Sequence, residues 1–180
     1  IPIPPGFTIS TTACKKYTQE NNTLNKEMKE EIQKNIKTLE ETTGKKFGDS
    51  LNPLLLSVRS GAAVSMPGMM DTILNLGLND TVVKGLSQQA ENAHFAWDSY
   101  RRFIQMYANV VMGIAHDCFE KILDNEKNRT KVRNDTELSV KSLKNIVKEY
   151  KELINEETNK SFPEDVNEQL LKSIIAVFNS

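Results

Sequence analysis

The feature that most constrains this chain is a stretch of 26 residues, positions 54–79, in which Arg59 and Asp71 are the only charged side chains. Charged residues make up 26% of the whole chain, so a window of this length would ordinarily hold about seven. A segment with so little charge is expected to lie mostly away from solvent. We therefore predict a buried strand over residues 54–58, a loop over 61–68 with a turn at Pro67-Gly68, and a second strand over 72–78.

The segment before this window is predicted to hold a short strand and two helices. Residues 7–9 have the character of a strand, and Thr11 or Thr12 can cap a helix that runs through residue 17. A second, longer helix is indicated by apolar residues at spacings of three and four, and Gly44 stands where such a helix would end. Those apolar residues are Leu24, Met28, Ile32, Ile36 and Leu39.

The segment after the window is predicted to be almost entirely helical. Asp80 can cap a short helix over residues 82–86, and a longer helix carries an apolar stripe through residues 96–114. A weaker helix over 119–123 leads into a polar link, 125–136. Two further helices are expected to begin at Ser139 and Pro163. The pattern predicts an α+β chain that is mostly helical.

The composition excludes several functional classes of protein. With 180 residues the chain can bury a core without disulfides or a structural metal, and its net charge of −1 gives no pull toward nucleic acid or an anionic membrane. No apolar run approaches the length of a membrane span. Cys14 and Cys118 are predicted to be reduced thiols, and His94 and His116 have spacings that suggest structural or surface roles rather than a metal site. The absence of an initiator Met and an apolar stripe at the last residues indicate an excised piece.

Arg59 allows two interpretations. In one, backbone amides near Gly61 and Gly68 face a phosphate group, and the planar guanidinium of Arg59 binds its oxygens. In the other, Arg59 forms a buried pair with Asp71 and the glycines only make turns. The spacing leaves both open, although the loop is not a Walker loop because no Gly-Lys-Ser/Thr follows.

Two further groups of residues have a structural and a functional interpretation. Met66, Met69 and Met70 crowd the same loop, where methionine can fill a gap or contact a flat nucleobase. Asp98 can pair with Arg101 or Arg102 on the long helix. That pair of arginines is expected on a solvated helix face, or else at a contact with an acidic partner.

Three strings of residues resemble the pyruvate, phosphate dikinase family. They are Ser57-Val58-Arg59-Ser60-Gly61-Ala62, Met66-Pro67-Gly68-Met69-Met70-Asp71-Thr72 and Asn75-Leu76-Gly77-Leu78-Asn79-Asp80. Shorter matches, such as residues 4–8 and 98–103, extend the resemblance over essentially the whole chain. Phosphoenolpyruvate synthases share the Ser-Val-Arg-Ser core but differ after it, so the dikinase family is favoured.

The resemblance implies part of an N-terminal nucleotide-binding domain of ATP-grasp type, with short strands around a Gly-rich loop and a helical insertion. Residues 1–80 would be a partial nucleotide-binding subdomain with the loop at 61–72, residues 81–165 the insertion, and 166–180 the start of the return. The family's ATP-phosphate arginine corresponds to Arg59. The nucleotide-binding residues implied are Arg59, Ser60, Gly61, Met66, Gly68, Met69, Asp71 and Thr72.

The family's reaction interconverts ATP, phosphate and pyruvate with AMP, pyrophosphate and phosphoenolpyruvate through a phosphohistidine on a separate carrier domain. Neither His94 nor His116 matches that carrier histidine. ATP and Mg²⁺ are the implied cofactors, but the family's Gly-Gly-Lys phosphate loop and acidic magnesium ligands fall outside these residues. The piece alone is therefore expected to be an inactive fragment of a phosphotransferase.

The implied partners are ATP or AMP, the carrier domain of the same longer chain, which would dock near Arg101 and Arg102, and a second copy in a homodimer. No nucleic acid or membrane is expected, and a cytoplasmic location is expected, with an organelle as the alternative. A phosphoenolpyruvate synthase-like or other related phosphotransferase and a non-catalytic helical interaction module remain as alternatives. The weakly charged window at 54–79 argues against the helical module, which has no need of it.

Overall fold

The chain folds into helices that surround two small pairs of strands, and this confirms the mixed, mostly helical class. The computed structural model describes residues 3–61 and 72–180. Its helices and strands are, in chain order, α1 (Thr11–Gln19), α2 (Lys26–Thr43), β1 (Lys46–Phe47), β2 (Pro53–Leu54), β3 (Leu56–Arg59), β4 (Thr72–Leu76), α3 (Val82–Gln89), α4 (Ala93–Met112), α5 (His116–Thr130), α6 (Val140–Thr158) and α7 (Val166–Phe178). Within these ranges, every helix is too short or too polar to cross a membrane.

Two helices each have the one boundary that the sequence predicted, which is the end of α2 at Gly44 and the beginning of α6 at Ser139. Helix α2 begins where the Asn25 side chain accepts a hydrogen bond from the Met28 amide at 2.8 Å, and it ends at Gly44 in the left-handed conformation. Its predicted apolar face is buried. Helix α6 begins at Ser139, whose hydroxyl accepts from the Ser142 amide at 3.1 Å. In both helices a polar cap and an apolar stripe together fix where the helix lies.

The prediction for the first residues is wrong in two respects. Residues 7–9 do not form a strand; Phe7 and Ile9 instead lie half-buried against the core that α2 and α7 share. Helix α1 is capped by Ser10, which accepts from the Ala13 amide at 3.3 Å, and not by Thr11 or Thr12. The alternation that suggested a strand reflects burial of one side of an extended segment.

Three predicted helix boundaries are also wrong. Asp80 does not cap α3: its N-cap residue is Thr81, and the Val82 amide donates to the Asn79 side chain at 2.8 Å. The Asp80 carboxylate binds Lys151 instead, at 2.7 Å. Helix α7 begins after Asp165, which caps it, and not at Pro163. Helix α5 continues to Thr130 through half of the predicted polar link, because Lys and Asn are tolerated on an exposed helix face.

Two cores and a small cluster around Tyr17, Leu24 and Met28 hold the part of the chain that the structure describes, and the strands lie between the two cores. The larger core joins α3, α4, α5 and α6 with Ile73 and Leu76 of β4. The smaller core joins α2 and α7 with Phe47 of β1 and Leu54 of β2. The side chains of Leu56 and Val58 in β3 contact both cores. The apolar face of β3 therefore holds the antiparallel hairpin of β3 and β4 against both cores.

A close backbone contact joins α3 to the loop between the first two strands. At Gly85 an added Cβ would lie only 1.4 Å from the carbonyl oxygen of Ser50, so a side chain has no room there. Glycine is the residue that permits such an approach. This contact fixes the helical part of the chain against the strands that precede the hairpin.

Candidate functional site

Arg59 lies at the end of the hairpin where the segment that connects β3 to β4 begins. It is the last residue of β3 and pairs with Thr72, the first residue of β4. Along β3 the side chains alternate, so Ser57 and Arg59 are exposed while Leu56 and Val58 are half-buried. The predicted buried strand is therefore wrong in this detail, because only one face of the pleat meets the two cores. The other face presents the Arg59 guanidinium to solvent.

The residues that follow Arg59 differ in their exposure. The hydroxyl oxygen of Ser60 is buried and has no hydrogen-bond partner among residues 3–61 and 72–180. Gly61 is exposed, and a Cβ there would meet nothing within 4 Å. Thr72 is half-buried. Arg59, Ser60, Gly61 and Thr72 thus share one end of the hairpin, as the sequence predicted.

The remaining predicted site residues lie outside the described residues. They are Met66, Gly68, Met69 and Asp71, together with the neighbouring Met70 and the predicted turn at Pro67. The alternative interpretation, a pair between Arg59 and Asp71, rests on one of them and stays a prediction.

Strand β4 is held by helix α4, which runs antiparallel to it. The Leu74 amide donates to the thioether sulfur of Met106 at 3.1 Å. Farther along the chain, the Asp80 carboxylate accepts from the Tyr100 hydroxyl at 3.2 Å. Because Tyr100 precedes Met106 in α4 while Asp80 follows Leu74, the two elements run in opposite directions. The start of β4, opposite Arg59, therefore lies toward the carboxyl-terminal end of α4.

Sequence reasoning missed Gln169, whose side chain fixes the other end of β4. It is fully buried in α7. Its amide oxygen accepts from the Gly77 amide at 3.1 Å, and its amide nitrogen donates to the carbonyls of Leu78 at 2.9 Å and Pro163 at 2.8 Å. One signal could have found it: Gln169 is a polar residue beside Leu170 on the apolar stripe of α7. A buried amide needs partners, and the turn after β4 supplies them.

The prediction that Arg101 lies on an exposed helix face is wrong. Only 3% of its side chain is exposed, and the guanidinium contacts the Asp98 carboxylate at 2.7 Å and the Asp135 carboxylate at 3.2 Å. Burial works to lower the pKa of Arg101, but hydrogen bonding to Asp98 and its charge outweigh burial and raise the pKa. Arg101 is thus a buried cation within the helical core.

Arg102, in contrast, is 57% exposed, and it contacts Asp98 at 2.8 Å. The predicted pairing of Asp98 with Arg101 or Arg102 is confirmed for both arginines. Only Arg102 remains available to a partner at the surface.

The two histidines lie on α4 and α5, and the two cysteines lie on α1 and α5. His116 is exposed on α5 near Glu120, and the Nε2 atom of His94 is buried without a partner in the described ranges. Cys14 and Cys118 are free thiols. Among the described residues no group of His, Cys, Asp and Glu side chains is arranged to hold a metal ion.

The hairpin thus presents an arginine beside a Gly-containing segment, and a helical core supports it. A match to a known family of nucleotide-binding domains agrees with this arrangement. The model for the pyruvate phosphate dikinase AMP/ATP-binding domain matches residues 22–112, about half of the chain. The chain belongs to this family. The matched range contains α2, the hairpin with Arg59, α3 and α4.

Curated relatives extend the similarity over the whole chain. The chain is 51% identical over 180 residues to a pyruvate, phosphate dikinase of Rhizobium meliloti, and 53% identical over 180 residues to one of Giardia intestinalis. It is 50% identical over 178 residues to a chloroplastic pyruvate, phosphate dikinase of Mesembryanthemum crystallinum. These matches cover 99–100% of this chain but only 19–20% of each relative. The chain thus spans about a fifth of the length of these relatives.

Proposed function

We propose that this chain is part of a longer phosphotransferase, a pyruvate, phosphate dikinase, and that it contributes to binding the phosphates of ATP. The observation that supports this most is the exposed Arg59 at the end of a strand whose opposite face is held by both cores. The longer enzyme would interconvert ATP, phosphate and pyruvate with AMP, pyrophosphate and phosphoenolpyruvate. A phosphohistidine on a separate carrier domain would link its two half-reactions.

In this proposal the Arg59 guanidinium binds oxygens of the β- and γ-phosphates with its planar set of donors. Phosphoryl transfer needs alignment of the reacting groups and neutralisation of negative charge more than it needs covalent assistance. A guanidinium held at the end of a strand can supply both, because its backbone is fixed and its side chain reaches solvent. Ser60, Gly61 and Thr72 lie at the same end and would border the triphosphate, and Met66, Gly68, Met69 and Asp71 complete the proposed set.

The other parts of the proposed enzyme lie outside these residues. Mg²⁺, which would neutralise phosphate charge when bound, has no ligand group among the residues that the structure describes, so no step here is assigned to it. We place the nucleotide-binding part, of ATP-grasp type, in residues 1–80 and 166–180 and the helical insertion in 81–165. A homodimer and a cytoplasmic location belong to the same proposal. Without the missing parts, the 180 residues alone should show no appreciable ATPase activity.

The test is single-turnover phosphorylation of the carrier histidine by ATP in the full-length enzyme that contains this chain. Arg59→Ala should slow this step by about 10³-fold or more, because the variant loses charge stabilisation at the transferring phosphate. Arg59→Lys should recover part of the rate, since it restores the charge without the planar fork. An Arg59→Ala enzyme that phosphorylates its carrier at the normal rate would refute the proposal.

The same assay tests docking of the carrier domain. Arg101 is buried, so the docking role proposed for the two arginines now rests on Arg102. Arg102→Glu should slow carrier phosphorylation most at low salt, because added salt screens the repulsion that the variant introduces, while leaving ATP binding unchanged. A rate equal to that of the unaltered enzyme at low salt would remove docking from the proposal.

A further inference from the structure

The turn after β4 has an unusual backbone conformation, and the side chain of Gln169 holds it in place. Asn75 has a positive φ of 60° and Gly77 a φ of 104°. The Leu78 amide donates to the Asn75 carbonyl at 3.3 Å, which closes the turn. The amide of Gly77 and the carbonyl of Leu78 point away from this bond, and both are bound by the side chain of Gln169. The turn therefore depends on α7 for its remaining hydrogen bonds.

Asn75 marks a bulge that sets the register of the hairpin. Leu56 pairs with Leu76 and Val58 pairs with Ile73, so β4 uses one residue more than β3 between these two pairs. In a regular strand, residues three apart point to opposite faces. Here Ile73 and Leu76 are both fully buried in the larger core. The extra residue allows both side chains to point into the same core, and the same register places Thr72 opposite Arg59.

Gly77 leaves little freedom for the turn to move. A Cβ at this position would lie 2.9 Å from the ring of Phe47 and 3.2 Å from the carbonyl oxygen of Leu54. The turn is thus pressed against β1 and β2 on one side and bound by Gln169 on the other. If the amide of Gln169 were lost, two buried backbone groups of the turn would be left without partners, which costs more than the loss of an exposed bond.

We propose that Gln169 is a positioning residue for Arg59, acting through the turn that holds β4 in its bulged register. Gln169 fixes Gly77 and Leu78. The bulge at Asn75 transmits that constraint along β4 to Ile73 and Thr72. Thr72 in turn pairs with Arg59. The inference rests on the proposed role of Arg59 in phosphate binding. It adds a residue 110 positions away in the sequence, on a different helix, that has no contact with the phosphate.

The side-chain amide of Gln169 both donates and accepts hydrogen bonds. The test variants are therefore chosen to remove one or both of these functions. Gln169→Met keeps the length and volume but has no amide. Gln169→Glu can still accept from Gly77, but when ionised it cannot donate to Leu78 or Pro163. Ser173→Ala is the matched control, because Ser173 is equally buried on the same helix and its hydroxyl bonds only to the Gln169 carbonyl within α7, at 2.7 Å.

Amide hydrogen exchange in the full-length enzyme tests the structural step without nucleotide. In Gln169→Met, the amides of β3 and β4 should exchange at least about tenfold faster, while those of α6 stay unchanged. Ser173→Ala should leave the exchange of the hairpin as it is. Exchange of β3 and β4 in Gln169→Met at the unaltered rate would overturn the proposal, whatever the nucleotide does.

Kinetics of carrier phosphorylation test whether the effect passes through Arg59. Gln169→Met should lower the single-turnover rate about tenfold to a hundredfold with little change in the apparent affinity for ATP, because misplacement of Arg59 is felt most in the transition state. In an Arg59→Ala background the same substitution should have no further effect. Equal losses in both backgrounds would overturn the positioning role alone. An Arg59→Ala enzyme of normal rate would instead refute the proposed function, and this inference with it.

A second pair of variants keeps the inference testable if Gln169→Met does not fold. Asn75→Gly adopts a positive φ without strain and should keep the rate within about twofold. Asn75→Val strongly disfavours that conformation and should shift or open the bulge, with a loss similar to that of Gln169→Met. Equal rates in folded Asn75→Gly and Asn75→Val enzymes would show that the register of β4 does not govern Arg59, and would overturn the inference.

Discussion

The hairpin and helix α4 each carry an arginine that the sequence singled out, and the two side chains have opposite surroundings. Arg59 is exposed at the end of β3, where the strand presents only one face to the cores. Arg101 is buried on α4 and bound by Asp98 and Asp135. A guanidinium that is already desolvated and paired contributes to holding elements together, whereas one at the surface can still bind an incoming anion.

A low density of charge along the sequence therefore does not show by itself which charged side chain is buried. Arg59 lies in the window with the fewest charges and is exposed, while Arg101 lies beside another arginine in a charged stretch and is 3% exposed. What separates them is the geometry of the element. In α4, Asp98 is one turn away from Arg101, and the 3₁₀ turn at Asp135–Glu137 brings a second carboxylate from outside the helix.

The largest effect is expected from replacing the three arginines one at a time by methionine and measuring urea unfolding of the chain. Arg101→Met should lower the free energy of unfolding by about 3 kcal/mol, because Asp135 and Gln105 lose their buried partner. Arg59→Met should leave the unfolding midpoint unchanged, and Arg102→Met should lower it slightly. A loss in Arg59→Met as large as that in Arg101→Met would erase the contrast between the two sites.

A smaller effect should distinguish two tyrosines of α4 that are both fully buried. The Tyr100 hydroxyl donates to Asp80 at 3.2 Å, whereas the Tyr107 hydroxyl has no hydrogen-bond partner among the described residues. Burial raises the pKa of Tyr100, and the nearby carboxylates of Glu164 and Asp80 raise it further, so this hydroxyl stays a donor.

Tyr100→Phe should therefore lower the free energy of unfolding by about 1 kcal/mol, and Tyr107→Phe should be neutral or slightly stabilising. Thermal and urea unfolding of the two variants side by side provide the measurement. A cost for Tyr107→Phe equal to that for Tyr100→Phe would mean that Tyr107 has a partner, such as an ordered water, inside the helical core.

The sequence predicted those parts of the fold that depend on local patterns. The apolar spacing and caps of α2 and α6 are local, so the end of α2 at Gly44 and the beginning of α6 at Ser139 were predicted correctly. Two strands around a loop were predicted because residues 54–79 contain turn residues and little charge, and the structure shows that these strands pair as a hairpin. The strand predicted at residues 7–9 failed because a strand also needs a neighbouring strand, which no local pattern reveals.

The candidate site was predictable only in the part that the family motif carries. Arg59, Ser60, Gly61 and Thr72 follow from the motif and lie together. Gln169 does not, because its two partners in the turn after β4 are 91 and 92 residues away and nothing in its local sequence indicates them. The predicted exposure of Arg101 was wrong for a similar reason, since Asp135 approaches the Arg101 side chain from a different element. Contacts between distant segments are set by packing, which the pattern of a single segment does not contain.

Chemical modification of arginine by phenylglyoxal, mapped by mass spectrometry, tests the central claim most directly. In the full-length enzyme that contains this chain, Arg59 and Arg102 should react because they are exposed, and Arg101 should not. Addition of ATP with Mg²⁺ should protect Arg59 and leave the reaction of Arg102 unchanged. If Arg59 were modified equally with and without the nucleotide, its guanidinium would not bind the phosphates and the account would be contradicted.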